Sequence, residues 1–303
     1  MKRNIAREIF MPLITAAIWG TAFVFQKLCA EHLPPFTVNA LRGFIAVLVL
    51  TPVALLFDAA KKRRGEWQPL NWRKWLLGSF CCGAMLSLGV NLQQAGLAVA
   101  SAGKAGFITA FYVVLVPIFG RVIGQKVRSR IWLCVGLMAL GLWLLCLKAG
   151  ESFSLAPTDA LLILCAAGFA VQVLFVDHFV QHVDGVKLSI GQFLVSGILS
   201  GILALLFETP TWTGFTASLW PLLYISVMSS GVAYTLQILA QKDTNPTIVC
   251  LLLGLESVFS VVGGALILGD RMTVREYLGC AVMFTAVVLA QLPGREAPVN
   301  SEE

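Results

Sequence analysis

Apolar residues along the chain fall into ten blocks, each about 18–26 positions long, the length a helix needs to cross the hydrocarbon core of a bilayer. They run near Met11–Cys29, Phe36–Phe57, Trp75–Leu97, Ala102–Ile123, Ile131–Leu147, Asp159–Val180, Leu188–Phe207, Thr216–Gln241, Pro246–Leu268 and Val274–Leu292. Short polar loops separate them, so little of the chain is left over for a soluble domain. The pattern predicts an all-α integral membrane protein with ten transmembrane helices. Composition agrees: 58% of the residues are hydrophobic and 13% charged, against about 45–50% and about 25% in soluble domains.

The apolar blocks repeat. FIAVLVLTPVALLFD, ending at Asp58, matches FLVSGILSGILALLFE, ending at Glu208, at an offset of 150 residues. The same offset lays Trp19-Gly20 on Phe169-Ala170 and His32 on His182. Gly124-Gln125-Lys126 matches Gly269-Asp270-Arg271 at an offset of 145. Residues 1–150 and 151–303 are therefore expected to form two five-helix halves, the second ending in a short tail. Five is odd, so the second half enters the membrane from the opposite face. Inverted repeats of this kind place a substrate site near the midplane, between the halves.

Charge sets the orientation. A net charge of +6 could suggest a nucleic-acid partner, but the basic residues form no continuous patch. One side of the predicted membrane holds Lys2, Arg3, Arg7, Lys61–Arg64, Arg73, Lys74, Arg121, Lys126, Arg128, Arg130, Lys187, Lys242 and Arg295. The other holds Lys27, Lys104, Lys148, Arg271 and Arg275. The positive-inside rule then puts both termini in the cytoplasm, with the signal coming almost wholly from the first half. The first apolar block lacks an A-x-A-like cleavage site and is expected to be a retained span. The eight cysteines lie in or beside apolar runs without a CxxC pair, and are most simply packing residues.

One acid interrupts the longest late block. Glu256 stands near the middle of Asn245–Leu268, where a carboxylate costs roughly 2.5–3.5 kcal/mol on insertion scales. Protonation, a partner on another helix or water in a cavity must offset that. Pro246 suits the first turn of this helix, and Asn245 or Thr244 can cap it. Glu256 is accordingly either an interhelical tie or a titrating, substrate-facing group.

Further polar residues lie within the blocks. Arg42 is nearly two turns into the second span, deeper than snorkelling easily reaches, and is expected to pair with Glu31 or a carbonyl, or to meet a substrate carboxylate. Lys104, in the first turn of the fourth span, either snorkels to the headgroups or attracts anions at the outer mouth. Asn91 and Gln94 share a face of the third span and make the better case for a pathway, with Gln93 beside them. For Gln172, Gln192 and Gln237 the default is interhelical hydrogen bonding worth about 0.6–2 kcal/mol each. Trp19, Tyr112 and Tyr234 fall inside spans rather than at headgroup belts, where they can line a cavity or simply pack. His178 and His182 are spaced as metal ligands at the end of the sixth span, without an evident third ligand, so a solvated helix end is expected and no metal or other cofactor. No Walker motif, nucleophile elbow or Gly-rich nucleotide loop appears.

IWGTAFVFQK (Ile18–Lys27), ALRGFIAVLVL (Ala40–Leu50), SAGKAGFITAFYVVLVPIFG (Ser101–Gly120) and LESVFSVVGGALILGDRMT (Leu255–Thr273) resemble the EamA family of the drug/metabolite transporter superfamily. The likeness covers roughly residues 11–292. It implies ten helices, cytoplasmic termini and export of a metabolite or amino acid across a bacterial inner (plasma) membrane. Glu256 falls where the family commonly has an acid followed by proline; Ser257 replaces that proline, which puts the local helix break in question. Together these readings predict a non-enzymatic secondary transporter with an alternating-access cavity. Its candidate pathway and coupling residues are Glu256, Lys104, Arg42, Asn91, Gln94, Trp19, Tyr112, Tyr234 and Gln237. Its expected partners are a small molecule, membrane lipid and, through Glu256, protons; homo-oligomers are compatible with the glycine pairs Gly120/Gly124 and Gly197/Gly201. A facilitative exchanger and an intramembrane metal-dependent enzyme using His178 and His182 are the alternatives.

Overall fold

The computed structural model describes residues 6–99, 102–125, 127–146, 159–242, 244–268 and 273–292. These are overwhelmingly helical, with no strand among them. In chain order the α-helices are α1 (Met11–Ala30), α2 (Pro35–Arg63), α3 (Trp72–Val99), α4 (Ala102–Ala110), α5 (Tyr112–Val122) and α6 (Ser129–Cys146). They continue with α7 (Asp159–Val180), α8 (Gly185–Phe207), α9 (Trp212–Ala217), α10 (Leu219–Tyr224), α11 (Tyr234–Gln241), α12 (Pro246–Leu253), α13 (Glu256–Leu268) and α14 (Val274–Gln291). Ile225–Ala233, between α10 and α11, is π-helical. Among the described residues, seven continuous helical stretches are long and apolar enough to cross a membrane, and three shorter apolar helices lie at Gly106–Val122, Ser129–Leu145 and Pro246–Val262. Together they occupy the places of the ten expected spans.

Local signals fix the helix starts. Extended Pro34 precedes Pro35, whose missing N–H costs nothing in a first turn. Asp184 caps α8 by accepting from the N–H groups of Val186 and Lys187. Asn245, rather than Thr244, caps α12, and Thr273 with Glu276 forms a reciprocal capping box on α14.

Three of the expected spans are irregular. The fourth is interrupted at Phe111, between α4 and α5, and the ninth at Gly254-Leu255, between α12 and α13. The second interruption forms without the proline in question: Leu255 N–H reaches Leu252 O at 3.1 Å, tightening the turn to an i→i−3 bond. At the offset of 145, Phe111 corresponds to Glu256, so the two interruptions fall within two residues of each other in the proposed repeats. The eighth span runs over Leu219–Gln241, after the separate short helix α9, and passes through the π-helical segment.

The helices pack in a layered bundle in which α2 lies against α8, α3 against α7 and α8, α6 against α14, and α1 against α13. The α2–α8 pair is antiparallel and joined at both ends. At one end the Glu208 carboxylate accepts from the backbone N–H groups of Phe36 and Thr37 at 2.8 and 2.7 Å, where the positive end of the α2 dipole favours an anion. At the other, Lys187 pairs with Asp58 at 2.7 Å and Lys61 with Asp184. Between them Gly43 and Gly197 let the backbones meet: a Cβ on Gly43 would stand 2.9 Å from Gly197 Cα. That contact of Gly197 lies within one chain. Outward faces are apolar, with Leu48, Leu56, Leu205 and Phe207 largely exposed, as a lipid solvent requires.

Asp184 lies outside the spans. Burial alone would raise its pKa, but the Lys61 ammonium and the N–H groups of Lys187 and Val186 outweigh it and hold the carboxyl below the ordinary value. Its contribution is thus present above about pH 3.9, the unfolded-state value, and lost as the pH falls through the lower folded one. Asp184→Ala is expected to cost ~0.5–2 kcal/mol, mostly through the cap because Lys61 is partly solvated. Thermal unfolding in detergent at neutral pH against strongly acidic pH checks this, since the deficit should shrink in acid.

Candidate functional site

The interrupted and bulged helices converge on one cavity at mid-depth. Its lining comes from seven of the expected spans, in both halves of the chain: Trp19, Phe23 and Gln26 on α1, Arg42 on α2, Gln93 on α3, Thr109 and Tyr112 at the α4–α5 interruption. Phe169, Gln172 and Val173 on α7, Ser229 of the π-helical segment, Tyr234 and Gln237 on α11, and Glu256 at the start of α13 complete it. The space free of protein atoms is about 500 Å³, including its opening to the exterior.

Each chemical group is positioned by its element. α1 passes so close to the start of α13 that a Cβ on Gly20 would lie 2.7 Å from Glu256 O and 2.8 Å from Ser260 N. The Glu256 backbone is thus clamped against α1 while its side chain, only 5% exposed, faces the cavity. Among the described residues its carboxylate has no hydrogen-bond or ion-pair partner. Tyr112, Tyr234, Cys165 and Cys250 are the titratable groups near enough to act on it.

Arg42 is 4% exposed and held by two hydroxyls: Nε donates to Ser230 Oγ at 2.8 Å and Nη2 to Ser229 Oγ at 3.3 Å. It forms no pair with Glu31, and no carboxylate among the described residues lies within ion-pair distance of it. The serines belong to the π-helical segment, whose backbone is tied to α1. Trp19 Nε1 donates to Ser229 O at 3.4 Å and Thr15 Oγ1 to Ala233 O at 3.1 Å. Trp19 also packs on Tyr234, with ring centroids 4.6 Å apart, and Tyr234 meets Phe193 edge-on at 5.4 Å. Tyr234 stands close enough to both Arg42 and Glu256 to interact electrostatically with each. Two enclosed polar atoms of the lining, Tyr112 OH and Gln237 Oε1, have no hydrogen-bond partner among the described residues.

Of the residues singled out from sequence, Trp19, Arg42, Tyr112, Tyr234, Gln237 and Glu256 come together here. Asn91 and Gln94 do not line the cavity. Asn91 joins three helices: its amide donates to Ser87 and Ser200, and its oxygen accepts from Asn39 Nδ2 at 2.9 Å. Gln94 Nε2 donates to Gln26 O at 3.4 Å. The neighbour Gln93 takes the cavity position on α3 instead. Lys104 belongs to α4, and its side chain lies outside the described residues. His178 and His182 lie together at the far end of α7, with ring centroids 5.5 Å apart, and no group of three potential metal ligands occurs among the described residues. Phe169 and Val173 were not singled out, although the offset of 150 lays Trp19 and Phe23 on them. Gln26, Thr109 and Ser229 carried no such signal.

A helical bundle with lipid-facing sides and a central polar cavity defines a multi-pass membrane transporter. Two successive stretches, residues 6–147 and 156–292, match the model of the EamA-like transporter family, and the chain belongs to that family. It is 28% identical over 280 residues to an uncharacterized transporter of Archaeoglobus fulgidus, covering 92% of this chain and 84% of that one. A WAT1-related chloroplastic protein of Arabidopsis thaliana is 24% identical over 91% of this chain and 67% of its own length. An uncharacterized transporter of Synechocystis is also 24% identical, over 90% and 86%. A solved crystal structure superposes with a TM-score of 0.75 at 18% identity, covering 94% of this chain and 96% of its own, which shows the fold.

The clamp between α1 and α13 is testable. Gly20→Ala must displace backbone atoms and is expected to cost ~1–3 kcal/mol. Gly106→Ala, where a Cβ meets nothing within 4 Å, should leave the melting temperature in detergent near the parent's.

Proposed function

We propose that this protein is a secondary transporter that exports a small metabolite or amino acid by alternating access, with Glu256 as a proton-coupling group. The two halves, 1–150 and 151–303, would be inverted repeats that rock about the cavity between them. The expected setting is a bacterial inner membrane with both termini cytoplasmic. One observation carries the reading: a buried carboxylate and a buried guanidinium face the same mid-depth cavity, and neither is neutralised by the other. A group that only tied helices together would have a partner on a neighbouring helix, as Asn91 does. Glu256 instead presents its carboxyl to the space a solute would occupy, where binding and release of a proton can be linked to binding and release of the solute.

The groups facing Glu256 from the packed elements are Tyr112, Tyr234, Cys165 and Cys250, with Arg42 on the same cavity. Of these only Arg42 carries a charge at neutral pH by its ordinary chemistry. In proteoliposomes, flux by the parent should respond to an imposed pH gradient. Glu256→Gln should keep binding while losing that response. A Glu256→Gln variant that follows the gradient like the parent refutes the coupling role and favours facilitated exchange by the same fold.

The inverted arrangement has its own check. In a cysteine-free background, a cysteine at exposed Glu66, between α2 and α3, should be labelled from the cytoplasmic side. One at exposed Thr213, on α9, should be labelled from the opposite side. Labelling of both from one side would rule out the antisymmetric topology.

A further inference from the structure

Resting on the transport reading above, we infer that the solute carries a carboxylate and that Arg42 is the group that receives it, with the aromatic walls of the cavity taking the solute's body. A guanidinium has five N–H donors in a planar fork, and it matches a carboxylate bidentately. In this site Nε and Nη2 each donate once, to neutral serine hydroxyls, and Nη1 makes no hydrogen bond to a described residue, while the side chain lines the cavity. A cation this deeply buried is costly unless a countercharge and further hydrogen bonds offset the lost hydration. The described part of the protein supplies hydroxyls and rings around Arg42 but no acid in contact with it.

The serines make the arrangement specific. By holding Nε and Nη2, Ser230 and Ser229 fix the plane of the fork and leave Nη1 without a hydrogen bond to a described residue, which orients the guanidinium for an incoming anion without neutralising it. Were Arg42 simply a structural anchor, its remaining donors would be expected to find protein acceptors, since buried polar groups are hydrogen-bonded. Trp19, Phe23, Phe169 and Tyr234 line the same space. They offer faces for an apolar or aromatic body, and Tyr112 OH and Gln237 Oε1 are polar atoms available to substituents on it. Glu256, on the same cavity, would oppose an anion unless it is protonated or meets an ammonium on the solute. Both monocarboxylates and α-amino acids satisfy that condition, and they share the carboxylate at Arg42.

The test uses matched probes on the purified full-length protein, read by thermal shift and isothermal titration. The probes are 3-phenylpropanoate against 3-phenylpropanamide, phenylalanine against phenylalaninamide, and 2-phenylethylammonium alone, with butanoate and acetate as smaller carboxylates. At least one carboxylate should bind and raise the apparent melting temperature, with its amide about ten-fold or more weaker. Arg42→Gln should abolish that preference between acid and amide, and Arg42→Lys should restore part of it. Melting of each variant without ligand reports whether it folds, and the acid–amide comparison on the parent stands even if neither variant does. The inference is overturned if an amide or 2-phenylethylammonium binds as tightly as the carboxylates, if no carboxylate binds, or if a folded Arg42→Gln variant keeps the preference. A neutral or cationic probe that binds and crosses a proteoliposome membrane sinks the carboxylate assignment and leaves the transport reading standing. Carboxylates that bind through Arg42 but never cross do the reverse.

Discussion

Lipid offers nothing to a polar group, so each one inside the bundle must find a partner within the protein or face a space that water or a solute can enter. Most here do the first. Asn39, Asn91, Ser87 and Ser200 bond to one another, Gln172 donates to Gln192, and Ser189 pairs with Thr235. Arg42 and Glu256 are ionisable groups that face the cavity without an ion-pair partner among the described residues. Were both ionised they would attract each other strongly in a low-dielectric interior, and yet they stand apart with Tyr234 near both. The scaffold that keeps them apart is what makes the cavity a polar site rather than a closed salt bridge. The rest of the architecture can be read as the means of holding that separation.

Holding it takes a rigid part and an irregular part. The α2–α8 pair is rigid: Glu208 sits on the first turn of α2, two ion pairs fasten the opposite ends, and Gly43 and Gly197 bring the backbones together. With contacts at both ends and the middle, this pair resists opening at either face. The interruptions fall on three other spans that line the cavity, at Phe111, at Gly254-Leu255 and along Ile225–Ala233. Rearrangement costs least where the helical ladder is already broken. In the proposed cycle the movement would therefore concentrate in the fourth, eighth and ninth spans, with α2 and α8 as the frame.

How much of this was legible depends on what sets each feature. The spans were, because bilayer thickness demands apolar runs of a given length and the chain supplies them. Trp19, Arg42, Tyr112, Tyr234, Gln237 and Glu256 were also found, since a polar or amphipathic side chain mid-span has few places to go. The face of α3 was not. Successive residues on a helix are about 100° apart, so choosing Gln93 over Gln94 or Asn91 requires knowing how the helix is rotated. That rotation is fixed by distant partners, Asn39 on α2 and Ser200 on α8, which draw Asn91 away from the cavity. The interruption before Glu256 was likewise hidden. Without a proline, its cause is tertiary: Gly254 sits against Met138 and Val113, and Gly20 lets α1 press on the residues just beyond.

The π-helical segment shows the same dependence most sharply. A π turn takes in an extra residue, so the helix beyond it is rotated by about 100° from where a regular α-helix would have placed it. Tyr234 and Gln237 follow directly after Ile225–Ala233, and their presence on the cavity wall therefore depends on that extra residue. Such a turn strains the backbone ladder, and within a membrane any carbonyl it exposes needs a donor. Ser229 O accepts from the Tyr234 N–H and additionally from Trp19 Nε1, Ala233 O accepts from Thr15 Oγ1, and Ser229 and Ser230 turn their hydroxyls to Arg42. The bulge, the cation and the indole of α1 consequently form one unit. Removing the guanidinium would leave two buried hydroxyls without their acceptor role, and straightening the bulge would carry Tyr234 off the cavity. The irregularity is thus what connects the buried charge to the aromatic wall.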